Sequence, residues 1–225
     1  MLLLVTSLVS VDAWGDDAAS IARGGLLYDS WFATLGVKPP AAPNPAYPTS
    51  GKYRGKEGAD YRCKECHGWD YRGKDGAYAS GSHATGIKGI GALANAKPER
   101  ILAVLQDERH GYQKLLAKKD LADLASFVAR GQLDMDPYID RKSKKAKGDA
   151  KRGAAFFNTV CAKCHGVDGK EQSKEEPIGK VARDNPWEAL HKILNGQPAE
   201  EMPALRAFDL QIAVDILAHA QALPE

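Results

Sequence analysis

The chain has 225 residues, of which 44% are hydrophobic and 27% charged, and its formal net charge is +2. Such a composition excludes disorder throughout and leaves room for one large domain or two small ones of about 100–150 residues. A charge so close to zero gives no electrostatic footing for nucleic acid.

Met1 to Val11 is almost continuously apolar, and Val11-Asp12-Ala13 offers small residues around a cleavage point. Residues 1–13 therefore read as an export signal, too short to cross a bilayer, which needs about 20 apolar residues. The usual Lys or Arg before the apolar run is missing, so a cut-down membrane anchor is the alternative. Asp16 to Leu35 has helical periodicity, with Gly24, Gly25 and Tyr28 in one stretch. An insertion over about 36–60 follows, carrying Pro39, Pro40, Pro43, Pro45 and Pro48. Prolines at that density forbid helix and central strand and favour an extended arm along the surface.

Gly68 to Gly91 is a glycine-rich loop, and Pro98 to Leu105 a helix with proline in its first turn. A further helix starts near Asp120. The run 139–147, with Arg141, Lys142, Lys144, Lys145 and Lys147, reads as a solvated linker. Beyond it, Gly148 to Phe157 begins a helix leading to Cys161. Pro186 to Gly196 has proline at its start and glycine past its end, and Asp209 to Leu223 is apolar at helical spacing. Pro98 precedes Asp120 by 22 residues and Pro186 precedes Asp209 by 23; Leu102 and Leu190 fall four after each proline, Leu105 and Ile193 seven after. These matches point to an internal duplication, 16–138 against 148–225.

All four cysteines lie in two like runs, Cys63-Lys64-Glu65-Cys66-His67 and Cys161-Ala162-Lys163-Cys164-His165. Cys-x-x-Cys-His is the attachment signal for c-type haem. Two thiols one helical turn apart can each add to a vinyl group of one porphyrin, and the adjoining histidine is carried beneath the iron. A four-cysteine zinc site would have to converge across 94 intervening residues and gives no reason for either histidine.

The order from Gly148 onward resembles the class I cytochrome c family, in which a Gly-x-x-x-aromatic helix crosses the last helix and a methionine loop faces the haem. The resemblance implies an all-α protein of two tandem class I cytochrome c domains with two covalently bound haem c. It implies His165 and Met202 as ligands of the second iron, His67 as proximal ligand of the first, and Pro177 as the carbonyl that steadies His165. Met202 lies 37 residues after His165; the equivalent place in the first half is Gln113. The nearest nitrogen donor is His110, 43 residues after His67, with Met135, His83, Lys114 or an open iron as alternatives. His191 and His219 read as structural or surface groups. The implied function is a periplasmic electron carrier with other redox proteins as transient, partly electrostatic partners. A dihaem oxidoreductase, a sensor and an electron-transfer subunit of a larger enzyme are the competing classes.

Overall fold

The computed structural model describes residues 13–171 and 176–225. The export reading of the apolar N-terminus falls almost wholly outside them. Among the described residues no helix is long and apolar enough to cross a membrane. The elements are α1 (Ala13–Thr34), α2 (Cys63–His67), α3 (Pro98–Leu105), α4 (Lys118–Ser126), α5 (Ala150–Phe156), α6 (Ala162–His165), α7 (Ile178–Asp184), α8 (Pro186–Asn195) and α9 (Leu210–Ala222). Among the described residues there is no β-strand, only the isolated bridges Gly73–Lys88 and Ile139–Ala146.

Two helix crossings carry the fold, α1 on α4 and α5 on α9, and they are built alike. Each has glycine at the point of closest approach. A Cβ at Gly24 would collide with the Asp123 carbonyl and lie 2.6 Å from Phe127 Cβ; one at Gly153 would collide with the Asp215 carbonyl. Each glycine follows an arginine that pairs with the opposite helix: Arg23 with Asp120 and Asp123, both at 2.5 Å, and Arg152 with Asp215. Four residues after each glycine stands a buried aromatic, Tyr28 and Phe157. Both α4 and α5 end in a π-helical turn, Phe127–Gly131 and Phe157–Cys161. The second turn runs straight into Cys161.

Capping follows the side chains. Asp149 accepts from the N–H of Lys151 and Arg152 at 2.9 and 3.1 Å, and Asn185 caps α8 with Pro186 behind it. Helix α7 lies between His165 and Pro186, where the sequence pattern marked no helix.

Helix α8 also packs on α1. His191 is fully buried there, its Nε2–H donating to the Gly25 carbonyl at 3.0 Å and its Nδ1 accepting from the Tyr71 hydroxyl at 2.8 Å. That pairing selects one neutral tautomer, and burial pushes its pKa down to about 4. Beside it, buried Asp29 pairs with Arg62 and with Lys192 at 3.1 Å. Burial opposes ionisation of Asp29, but the charges of Lys192 and Arg62 outweigh it and hold its pKa at about 2. A carboxyl depressed in the folded state stabilises above its unfolded value and loses that contribution as pH falls through the folded one. Asp29→Asn should therefore abolish a stabilisation of about 2 kcal/mol that wild type loses only between pH ~4 and ~2, seen as a difference in acid-denaturation midpoint that vanishes at the acid end.

Two expectations need correction. The proline-rich insertion is more than a surface arm: Asn44 and Tyr47 are buried, and Asn44 N–H and Gly55 N–H both donate to Asp60 at 2.9 Å. The run 139–147 keeps the exposed lysines of a solvated linker but is not a loose tether. Ile139 is in the core, Asp140 N–H donates to the Lys145 carbonyl, and the Lys144 and Lys147 ammoniums donate to the carbonyls of Asp184 and Asp136. The lysines of the run face solvent, but the backbone turn closes on itself and the Lys144 and Lys147 ammoniums reach carbonyl oxygens.

Candidate functional site

Helix α2 presents Cys63 and Cys66 on one turn, both half-buried, with His67 at its end. Burial pushes both thiols up to about 12, so they are neutral, as nucleophiles held in reserve and not as a ready thiolate pair. The following Gly68 has φ +79°, a left-handed conformation that releases the chain downward. Its N–H donates to the Lys64 carbonyl at 2.9 Å, and the Gly73 N–H closes a loop on the His67 carbonyl at 2.8 Å. The second motif repeats this backbone: Gly166 has φ +69°, its N–H donates to Ala162 at 2.9 Å, and Glu171 N–H reaches the His165 carbonyl at 3.0 Å. Six residues separate donor and acceptor in each closing bond. The two turns are one local structure made twice.

His67 Nδ1 lies 2.8 Å from the Lys88 carbonyl, so it carries the proton and leaves Nε2 free as a ligand. Burial pushes the imidazole down to about 4, which keeps it neutral at neutral pH. The Gly73–Lys88 bridge positions that carbonyl. Backbone acceptors leave no side-chain signature, and sequence reasoning missed this one.

His110 faces His67. The ring centroids are 6.5 Å apart and the planes only 22° from parallel. Asp107 Oδ1 accepts from the His110 backbone N–H at 2.7 Å and lies 3.1 Å from Nδ1, again leaving Nε2 free. Two imidazoles bound through nitrogens at about 2 Å to one metal would have centroids a little over 6 Å apart. The 6.5 Å separation matches that distance. The alternative donors are placed for other work. Met135 is packed in the core, and Lys114 is exposed in the turn Tyr112–Lys114. His83 is stacked between Tyr53 and Tyr78 at 4.6 and 4.7 Å and binds the buried Glu65 carboxylate at 2.9 Å.

In the second half Cys161 is half-buried and Cys164 exposed. His165 is half-buried and its Nδ1 has no hydrogen-bond partner. The Pro177 carbonyl, expected to hold that imidazole, instead accepts from the N–H of Lys180 and Val181 at the start of α7. The proline is spent on starting a helix. Met202 lies half-exposed on the extended segment between α8 and α9, its carbonyl set against Gly196, whose φ is +91°. Leu205 N–H anchors the far end of that segment to the Ile193 carbonyl at 3.0 Å. His191 serves the α1–α8 contact, and His219 packs on Phe157 at 5.2 Å between ring centroids.

The family described as Cytochrome C oxidase, cbb3-type, subunit III matches residues 148–213. A Cytochrome c-553-like protein of Synechocystis sp. is 30% identical over 91 residues, which are 40% of this chain and 84% of that protein.

Proposed function

The chain belongs to the c-type cytochrome family, whose members hold haem c covalently and transfer electrons, and on that premise we propose that it is an exported dihaem cytochrome, an electron carrier made of two tandem domains, 16–138 and 148–225, joined by 139–147. The observation that carries this reading is the twice-made Cys-x-x-Cys-His-Gly turn, with the same backbone hydrogen bonds at Gly68 and Gly166. Each haem supplies a one-electron iron couple. Cys63 and Cys66 would form the thioether links of the first, with His67 and His110 as its axial donors; Cys161 and Cys164 would hold the second, with His165 and Met202. The Lys88 carbonyl and the Asp107 carboxylate orient the two histidines of the first site and keep a proton on each Nδ1. A nitrogen pair there and a methionine in the second half set the first potential below the second. Residues 1–13 would direct export to the periplasm, and the partners would be other redox proteins bound transiently.

Two measurements test this. Intact-mass analysis of the mature holo-protein should show two haem additions; a single addition overturns the dihaem reading. The dithionite-reduced protein should show no spectral change under carbon monoxide, because both irons keep two protein ligands. Binding at one haem would favour a dihaem oxidoreductase with a labile first site. The match of 148–213 to an oxidase subunit family favours a second reading, that of an electron-transfer subunit, in which a stoichiometric partner would co-purify at high salt.

A further inference from the structure

Glu65 stands between the two cysteines of the first attachment turn, and its side chain is 1% exposed. A buried carboxylate keeps its charge only with partners close by. Glu65 has three. His83 Nδ1 lies 2.9 and 3.1 Å from its two oxygens, the Lys64 ammonium lies 3.2 Å from Oε2, and the Tyr47 hydroxyl donates to Oε1 at 3.3 Å. The Nδ1 proton of His83 therefore points at the carboxylate, and Nε2 is the nitrogen left to gain or lose one.

The imidazole lies between Tyr53 and Tyr78, 16° from parallel to each. Aromatic faces are negative, so an imidazolium there gains from both rings as well as from Glu65. The neutral ring keeps the same stack and the same Nδ1 bond, so a proton can come and go without repacking. With 33% of its side chain exposed, His83 meets the water that supplies it. The charges opposing that proton are Lys64, paired with Glu65, and Lys52 and Lys56, which lie over the Tyr53 ring. Burial pushes the phenols of Tyr47 and Tyr78 up, so neither changes charge near neutral pH. Imidazole is the side chain in this group whose ordinary titration falls between about pH 5 and 8.

The loop that carries His83 also runs along the attachment turn. Thr85 Oγ1 donates to the Cys66 carbonyl at 3.4 Å, and Lys88 supplies the carbonyl that orients His67. We infer that His83 is a proton-binding site coupled to the first haem, so that this half of the chain takes up a proton with its electron. The inference rests on the dihaem reading above. Reduction places one electron on the first haem and removes a positive charge there, and one proton passes from water to His83 Nε2. Oxidation reverses both. The coupling is reciprocal: the factor by which the proton favours reduction is the factor by which the electron favours protonation.

In redox titrations of the holo-protein between about pH 5 and 9, one midpoint should fall as His83 loses its proton. The whole fall should equal a change of about tenfold in the reduction equilibrium, ~59 mV for one electron. His83→Gln, which keeps an N–H donor for Glu65 and cannot titrate, should hold that midpoint at the high-pH value of wild type throughout. A variant that keeps the wild-type pH profile, or a wild type whose midpoints do not move, overturns the site. Followed by proton NMR, the His83 ring should titrate about one pH unit higher in the reduced protein than in the oxidised one, the same tenfold factor. Equal titration in the two states overturns the inference even if His83→Gln does not fold. The haem count by mass, taken first on the unsubstituted protein, reports separately on the dihaem reading.

Discussion

His110→Ala should make the reduced protein bind carbon monoxide at one haem, and His110→Met should raise one midpoint by ~0.1 V or more within the roughly 0.8 V that axial ligands span. The argument is geometric. Two nearly parallel imidazoles stand 6.5 Å apart between centroids, each tied at Nδ1 and each with Nε2 left free. Alanine removes one donor and leaves that side of the iron open. Methionine restores a ligand of the kind that favours the reduced state. Asp107 is exposed, and the His110 backbone stays anchored to it by the 2.7 Å bond, so neither substitution should unfold the loop. An alanine variant with an unaltered spectrum and no response to carbon monoxide would pass the ligand role to another donor.

The second large effect is on stability. Gly153→Ala places a methyl group against the Asp215 backbone, and Gly24→Ala does the same against Asp123. Neither neighbour is a side chain that can swing away. The helices must separate, which exposes core and loosens the paired Arg23 and Arg152 contacts, so each substitution should cost about 3 kcal/mol or more. That is a large part of the 5–15 kcal/mol typical of a domain. Gly91→Ala is the control, since nothing lies within 4 Å of a Cβ there and its φ is ordinary; it should change stability by less than about 0.5 kcal/mol. Denaturant midpoints of the three holo-proteins decide the matter. Equal midpoints for Gly153→Ala and Gly91→Ala would mean that the crossings are looser than they stand.

What could be read beforehand was whatever local chemistry announces. Proline at Pro98 and Pro186 marked helix starts, and those helices form there. The spacing of the cysteines marked the attachment turns. The helix α7 escaped because Glu176 to Asp184 mixes charges with Gly179, and glycine in a short charged segment hides its period; what holds it is packing on α8 and α9. The Lys88 carbonyl escaped because it belongs to the backbone. Pro177 was misjudged because a proline before an apolar residue serves equally to start a helix. The role of Arg141 escaped because its partners, Asp70 and Asp136, stand 71 and 5 residues away, and only the folded chain brings them to one guanidinium. His110 was visible as a donor three residues out of register, and the turn at Gly111, with φ +62°, lies directly after it.

The buried contact of His191 with Gly25 and Tyr71 bears on how this molecule comes apart. A duplicated chain with an idle connector would melt in two steps, and either repeat could be made alone. Here the outer stripe of α8 is finished by α1: Asn195 fills the notch at Gly25, and the His191 Nε2 proton goes to the Gly25 carbonyl. Severed at the connector, residues 148–225 would carry an imidazole and an indole bare on one flank, with Lys192 parted from Asp29. Calorimetry of the whole chain should accordingly trace one peak, with the van't Hoff and calorimetric enthalpies in agreement. The two halves of the chain would then be kept, and lost, as a single unit.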